Sequence, residues 1–311
     1  MKIIFFGTST FAIPSLKKIA GSRHEILLAV TQPDRRKGRF LKLKPPAIKE
    51  IADSLGIPVF QAADISSQDS VGKLKKPDAD IFVVVAFGQL LSEEALGIPN
   101  KFAVNLHASL LPKYRGAAPV NCAVINGEKT TGVTVFRLNE KMDAGDIILS
   151  KTADINDKEN AAVVSERLSA IGADALIECL DLIEGGKAVF KRQDEDIASF
   201  APKLKKENGL LDWKADAAEL NNRVRGLTPW PSAFTRLGPK ILKILQAQAA
   251  DCKAEDAEPG EVIDVSSPAG IIVKAKKGCL AIQRLQLEGS KPMGSKEFLM
   301  GHKLNAGDLL G

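Results

Sequence analysis

Residues 81–88 read Ile81-Phe82-Val83-Val84-Val85-Ala86-Phe87-Gly88, the longest apolar run in the chain. It is far too short to cross a membrane and has the length of a strand. Its apolar residues are continuous rather than alternating, so both faces of that strand should be covered. Ile3–Phe6, Ile26–Thr31 and Val59–Phe60 have the same texture upstream. Between them Ser15–Ala20, Ala47–Leu55 and Val71–Lys75 space their apolar residues as helices do. Strand–helix–strand repetition of this kind predicts an α/β domain built on a doubly wound, mostly parallel sheet.

Downstream, Phe102–His107, Gly132–Leu138 and Asp146–Ser150 continue the strand pattern, and Ala161–Ile183 reads as a long amphipathic helix stopped by Gly185-Gly186. Residues 201–208 have the composition of a linker. A helix is expected over Ala215–Arg225. After Pro229-Trp230-Pro231 come five short strand-like segments, Ala233–Leu237, Ile241–Ala247, Gly260–Asp264, Gly270–Lys274 and Cys279–Leu287. Five short strands punctuated by Gly and Pro predict a small β-barrel, with an OB-like barrel one candidate. The expected division is therefore an α/β domain over 1–204 and a barrel over 205–311, in keeping with a length of 311 residues.

The composition, 45% hydrophobic and 26% charged, is that of a globular protein and excludes disorder, collagen and a disulfide scaffold. Lys+Arg 43 against Asp+Glu 38 gives a net charge of only +5. Its distribution is more telling: residues 1–50 carry 11 bases and 3 acids, with 6 of those bases between Arg35 and Lys44. The 4 cysteines, Cys122, Cys179, Cys252 and Cys279, form no CxxC pair, and only 3 histidines accompany them. No metal site is expected from such spacing, and the cysteines read as reduced thiols of a cytoplasmic protein. Met1-Lys2 leads straight into Ile3–Phe6, with no signal-peptide pattern and no membrane segment.

Three segments could carry chemistry. The first strand is followed by Gly7-Thr8-Ser9-Thr10-Phe11-Ala12, which has one glycine where dinucleotide binding needs three, and no P-loop is present. Asn105 and His107 lie two apart on a strand, so an amide and an imidazole project from one face. That pair reads equally as a satisfied core histidine with its neighbour or as a catalytic pair at a strand end. The turn Lys141-Met142-Asp143-Ala144-Gly145-Asp146 offers carboxylates to it, or is simply a solvated Asx turn. The stretch Thr31–Pro46 is too long for a simple strand-to-helix connection and concentrates Arg35, Arg36, Lys37 and Arg39. It reads as a phosphate-contacting loop or as a solvated charged face.

On these motifs the sequence resembles the methionyl-tRNA formyltransferases along essentially its whole length. Asn105 through Gly116 match Asn-x-His followed by Ser-Leu-Leu-Pro-x-Tyr-Arg-Gly, and Met142–Asp146 match Met-Asp-x-Gly-Asp. Gln32–Arg35, Ala201–Lys206, Arg225-Gly226, Pro229–Pro231 and the tail from Gly301 also match. Other folate-dependent formyltransferases share the Asn/His/Asp set, so a small amine acceptor is the alternative. The resemblance implies a Rossmann-like catalytic domain followed by an OB-like barrel. It implies 10-formyltetrahydrofolate as formyl donor, initiator methionyl-tRNA as acceptor, no metal, and a monomer. It implies Asn105, His107 and Asp143 as catalytic residues. The folate would lie against Ser109, Leu110, Leu111 and Pro112, and against Ala86, Phe87 and Gly88. Arg35, Arg36, Lys37 and Arg39 would contact tRNA.

Overall fold

The computed structural model describes residues 1–37, 42–252, 254 and 256–311, with backbone alone at 37 and 42. Two compact units emerge, one of residues 1–116, 130–154 and 165–201, the other of 117–129, 155–164 and 202–311. The second unit thus includes two segments that precede residue 205 in the chain. Their sequence gives no warning, because what places them is packing on a later helix.

In the first unit the strands are β1 (Lys2–Gly7), β2 (Glu25–Thr31), β3 (Arg35–Lys37), β4 (Lys42–Lys44), β5 (Val59–Gln61), β6 (Ile81–Val85), β7 (Phe102–His107), β8 (Arg115–Gly116), β9 (Thr130–Arg137), β10 (Ile147–Asp154) and β11 (Phe200–Ala201). Its helices are α1 (Ile13–Ala20), α2 (Ala47–Ser54), α3 (Gln68–Lys75) and α4 (Glu93–Leu96); α5 (Pro119–Ile125) belongs to the second unit and α6 (Ala161–Glu184) begins there. A 7-stranded sheet runs β10-β9-β7-β6-β1-β2-β5. The five strands from β7 to β5 are parallel, and β9 and β10 add an antiparallel edge. Ile3 to Phe6 and Ile81 to Val83 are wholly buried, as two-sided coverage of the central strands requires. Strand order reverses at β1, with β2 on one side and β6 on the other. That is the switch point beside which ligands settle in open α/β sheets.

The second unit adds α7 (Ala217–Leu227), β12 (Ala233–Leu237), β13 (Lys240–Ala250), β14 (Val262–Asp264), β15 (Ile271–Lys274), β16 (Cys279–Leu287), β17 (Met293–Gly294) and α8 (Ser295–Gly301). Its strands form one antiparallel sheet, β12-β13-β16-β15-β14, with β17 on β16. Leu220, Val224, Leu242, Ile244, Ile282 and Phe298 share its core. Gly226 lets α5 approach closely, since a Cβ there would stand 2.4 Å from Ile125 Cγ1. Arg225 donates to the carbonyls of Asn156 (3.0 Å) and Glu159 (2.9 Å), which ties residues 155–164 to the same helix.

One expectation about the cysteines fails. Cys252 and Cys279 form a disulfide, their Cα atoms 5.8 Å apart, while Cys122 and Cys179 are free. The cause is register: β13 pairs Ala250 with Cys279, so Cys252, two residues further on, is carried alongside. Among the described residues, no helix is long and apolar enough to cross a membrane.

Candidate active site

Asn105 and His107 do share a face of β7. Leu106, on the other face, packs against Gly172 of α6, where an added Cβ would lie 2.7 Å from its Cδ2. His107 is 6% exposed. Its Nε2 stands 2.9 Å from the Tyr114 carbonyl, which can only accept, so Nε2 carries a hydrogen. Nδ1 then faces Asp143, with Oδ2 3.7 Å away. The half-buried Asn105 side chain makes no hydrogen bond among the described residues, leaving two amide donors at the end of a central strand.

Asp143 arrives from the loop joining β9 to β10, which folds back over this face. The Gly116 amide donates to Asp143 Oδ2 at 2.8 Å, and Asp143 itself takes a left-handed backbone, φ 49°. Gly145 lies so close to β9 that a Cβ would come 1.7 Å from the Arg137 carbonyl oxygen. Gln193, 4% exposed, clamps the loop: its Nε2 donates to the carbonyls of Asp143 (2.9 Å) and Gly145 (2.8 Å). Its Oε1 accepts from Arg115 Nε and Nη2 at 3.1 and 2.9 Å. Arg115 also forks onto Glu195, whose carboxyl it holds below the usual range. The sequence does not single out Gln193 or Arg115 as site residues. Arg115 lies within the motif from Asn105 to Gly116, but Gln193 stands fifty residues from the loop it braces, in a segment without periodicity.

The stretch after β7 is braced from within. Ser109 donates to the Lys113 carbonyl (2.6 Å), and Thr134 donates to the Ser109 carbonyl (2.7 Å) while accepting from the Leu111 amide (3.1 Å). Ser109, Leu111 and Pro112 are buried and Leu110 half-buried. Ser109 and the Leu111 amide thus hold the loop together, and Leu110 is the more accessible side chain of the four. Phe87 likewise turns inward: it is 1% exposed and sets its ring edge-on to Phe6, the centroids 5.5 Å apart. Its flanking residues Ala86 (φ 46°) and Gly88 (φ 84°) are both left-handed, so this turn offers backbone at the switch point rather than an aromatic wall.

The basic segment is a hairpin rather than a loop, with Arg35 opposite Lys44 and Arg36 opposite Leu43. Arg35 and Arg36 are exposed and, among the described residues, carry no ion pair. The Lys37 side chain and Arg39 lie outside the described residues. An open cleft of about 790 Å³, lined in part by Leu96, Phe102, Arg137, Leu138, Lys141 and Ala144, adjoins the loop that carries Asp143.

A family model described as formyl transferase matches residues 1–180, and one described as formyl transferase, C-terminal domain, matches 203–303. The methionyl-tRNA formyltransferase of Geobacter sulfurreducens is 44% identical over 311 residues, spanning 100% of this chain and 97% of its own. The chain belongs to the methionyl-tRNA formyltransferase family. The Thermodesulfovibrio yellowstonii member is 43% identical over 98% of this chain and 97% of its own. Membership makes the protein a formyl-transferring enzyme. Solved folds agree. An N-formyltransferase from Helicobacter canadensis, complexed with folinic acid and dTDP-3-aminofucose, superposes with a TM-score of 0.66 at 16% identity, over 94% of this chain and 100% of that one. HypX from Aquifex aeolicus, complexed with tetrahydrofolic acid, gives 0.62 at 19% identity over 99% of this chain and 50% of that one. At such identities these likenesses concern the fold, and the family's own members carry the argument from sequence.

Proposed function

We propose that the protein transfers the formyl group of 10-formyltetrahydrofolate to the α-amine of methionyl-initiator tRNA in the cytoplasm. The observation that carries this reading is the free Asn105 amide beside a His107–Asp143 pair at a strand end, in a chain of this family. The amine attacks the formyl carbon, negative charge grows on the formyl oxygen, and the bond to N10 breaks. Asn105 Nδ2 donates to that oxygen, a role worth about 10²–10³ in rate for a single donor, and His107 adds a second donor when one ring N–H leaves its Tyr114 or Asp143 partner for the oxyanion. Asp143, fixed by the Gly116 amide, orients His107. The proton lost by the amine is the one N10 must gain, and His107 and Asp143 are the titratable groups at hand for its passage.

In this reading the folate lies beside the switch point. Ala86 and Gly88 expose backbone there, Leu110 gives an apolar contact, and the unpartnered Asn105 amide is available at the reacting end. Arg35, Arg36, Lys37 and Arg39 contact the acceptor's phosphates. Formyl transfer from 10-formyltetrahydrofolate is assayed on charged initiator tRNA and, in parallel, on a free amino-sugar nucleotide. Transfer to tRNA with none to the small amine is expected. The reverse pattern would assign the protein to the small-amine reaction.

A further inference from the structure

The motif Gln32-Pro33-Asp34-Arg35 supplies more than the first arginine of the hairpin. Gln32 is buried, at 7% exposure, yet it is the residue just beyond β2 and three before the charged hairpin. Its Nε2 donates to the Phe87 carbonyl at 2.9 Å, and Thr8 Oγ1 donates to the same oxygen at 2.8 Å. These two bonds grip the middle of the Ala86–Gly88 turn, whose left-handed Ala86 is a costly conformation for a residue with a Cβ. Gly88 is needed for the grip: a Cβ there would stand 2.7 Å from Gln32 Nε2.

The other end of Gln32 faces the hairpin. Its backbone carbonyl accepts from Gln61 Nε2 at 3.1 Å, and the same amide nitrogen donates to Asp34 Oδ1 at 2.6 Å. Gln61 Oε1 accepts from Lys49 Nζ at 2.8 Å, and Lys49 also reaches Asp34 at 3.3 Å. The orientation of Gln61 is thereby fixed, with its donors on two acceptors and its oxygen on an ammonium. Asp34 is the last residue before the hairpin strand that carries Arg35 and Arg36. An unbroken series of polar contacts thus runs from the base of the hairpin, through Gln61 and Gln32, to the carbonyl of Phe87.

We propose that Gln32, tied through Gln61 to Asp34, is a positioning residue that couples occupation of the basic hairpin to the Ala86–Gly88 turn, so that the anionic acceptor and the folate bind cooperatively. The inference rests on the tRNA formyl-transfer reading. Anchoring Arg35 and Arg36 on phosphates restrains Asp34, which restrains Gln61 and the Gln32 backbone, and the Gln32 amide then holds the turn in its ligand-ready form. Such coupling is reciprocal and in typical cases amounts to about 5–150-fold in affinity.

The test measures the dissociation constant of tetrahydrofolate by calorimetry, with and without saturating uncharged initiator tRNA, on the full-length protein. For the natural sequence, tRNA should tighten tetrahydrofolate binding about fivefold or more. In Gln61→Ala the tRNA-free constant should stay within about twofold while the tRNA effect falls to about one. In Gln32→Ala the tRNA effect should vanish and tetrahydrofolate should also bind more weakly. A merely structural role would shift affinities without touching the ratio. A ratio of one in the natural protein, or an undiminished ratio in Gln61→Ala, overturns the coupling while leaving formyl transfer to tRNA intact. Failure of the natural protein to bind tRNA or to formylate it overturns the functional reading itself, and the coupling with it.

Discussion

Gly145→Ala isolates what the Asp143 loop contributes. A Cβ at residue 145 would lie 1.7 Å from the Arg137 carbonyl oxygen, 2.9 Å from its carbon and 3.3 Å from Phe136 Cδ2. Reaching a separation of 3.0 Å from that oxygen requires a movement of about 1.3 Å. The strand cannot yield it, because β9 is paired with β7 on one side and β10 on the other. The loop must move instead. It is held by the two Gln193 bonds to the Asp143 and Gly145 carbonyls and by the Arg137 amide on the Asp146 carbonyl at 2.9 Å. Losing two of these three bonds costs roughly 2 kcal/mol at about 1 kcal/mol each. For a unit of this size that is a fall in Tm of roughly 4–8 °C. Asp143 lies two residues upstream, and a displacement of about 1 Å in a catalytic constellation can cost about 10² in rate. The variant should therefore fold, melt a few degrees lower, and lose about 10² in kcat, with the KM for donor changed far less. Asp143→Asn serves as the comparison, since its amide oxygen can still accept from Gly116 while the charge is gone. A folded Gly145→Ala protein with kcat within about threefold of the natural one would refute the idea that this close approach sets the position of Asp143.

The remaining predictions concern the reacting groups, the hairpin and the thiols. Asn105→Ala should lower kcat by about 10²–10³ with tRNA affinity retained, and His107→Ala should do at least as much; single-turnover formyl transfer measures both, and near-normal turnover in either removes that residue from the chemistry. Replacing Arg35 and Arg36 with alanine should weaken tRNA binding and flatten its log–log salt dependence by roughly one for each phosphate no longer engaged, with folate affinity in the absence of tRNA unchanged; an unaltered salt slope speaks against phosphate binding there. Burial raises the Cys122 thiol and pushes Cys179 up to about 12, so at pH 8 neither is appreciably ionised. Without reductant, iodoacetamide should add little mass to the native protein, and reduction should open Cys252 to labelling; ready labelling of Cys252 without reductant would show that the bridge to Cys279 is not formed.

Local pattern carried much of the fold, and tertiary packing carried what pattern could not reach. Ile3–Phe6 and Ile81–Val85 declared themselves as two-sided strands because nothing else buries so continuous an apolar run. Asn105 and His107 were legible as a pair because strand period alone puts them on one face. Whether Asp143 meets them was not legible. That depends on Gly145 lying against β9, a closeness no local pattern announces, and on Gln193 bridging two carbonyls from about fifty residues away. The inward turn of the Phe87 ring follows from positive φ at Ala86 and Gly88, and the non-glycine member of that pair gives no signal in composition. The Cys252–Cys279 bridge follows from the register of an 11-residue strand with irregularities along its pairing, and a spacing of 27 residues says nothing of it. The hairpin is the most instructive case. Its strands are short and charged, without the alternation that marks a half-buried strand, so only a loop could be read from them. A hairpin fixes the spacing of Arg35 and Arg36 where a loop would leave it free. In the proposed contact with a phosphate chain its cations would have less entropy to lose, and Asp34 at its base already has a defined partner in Gln61.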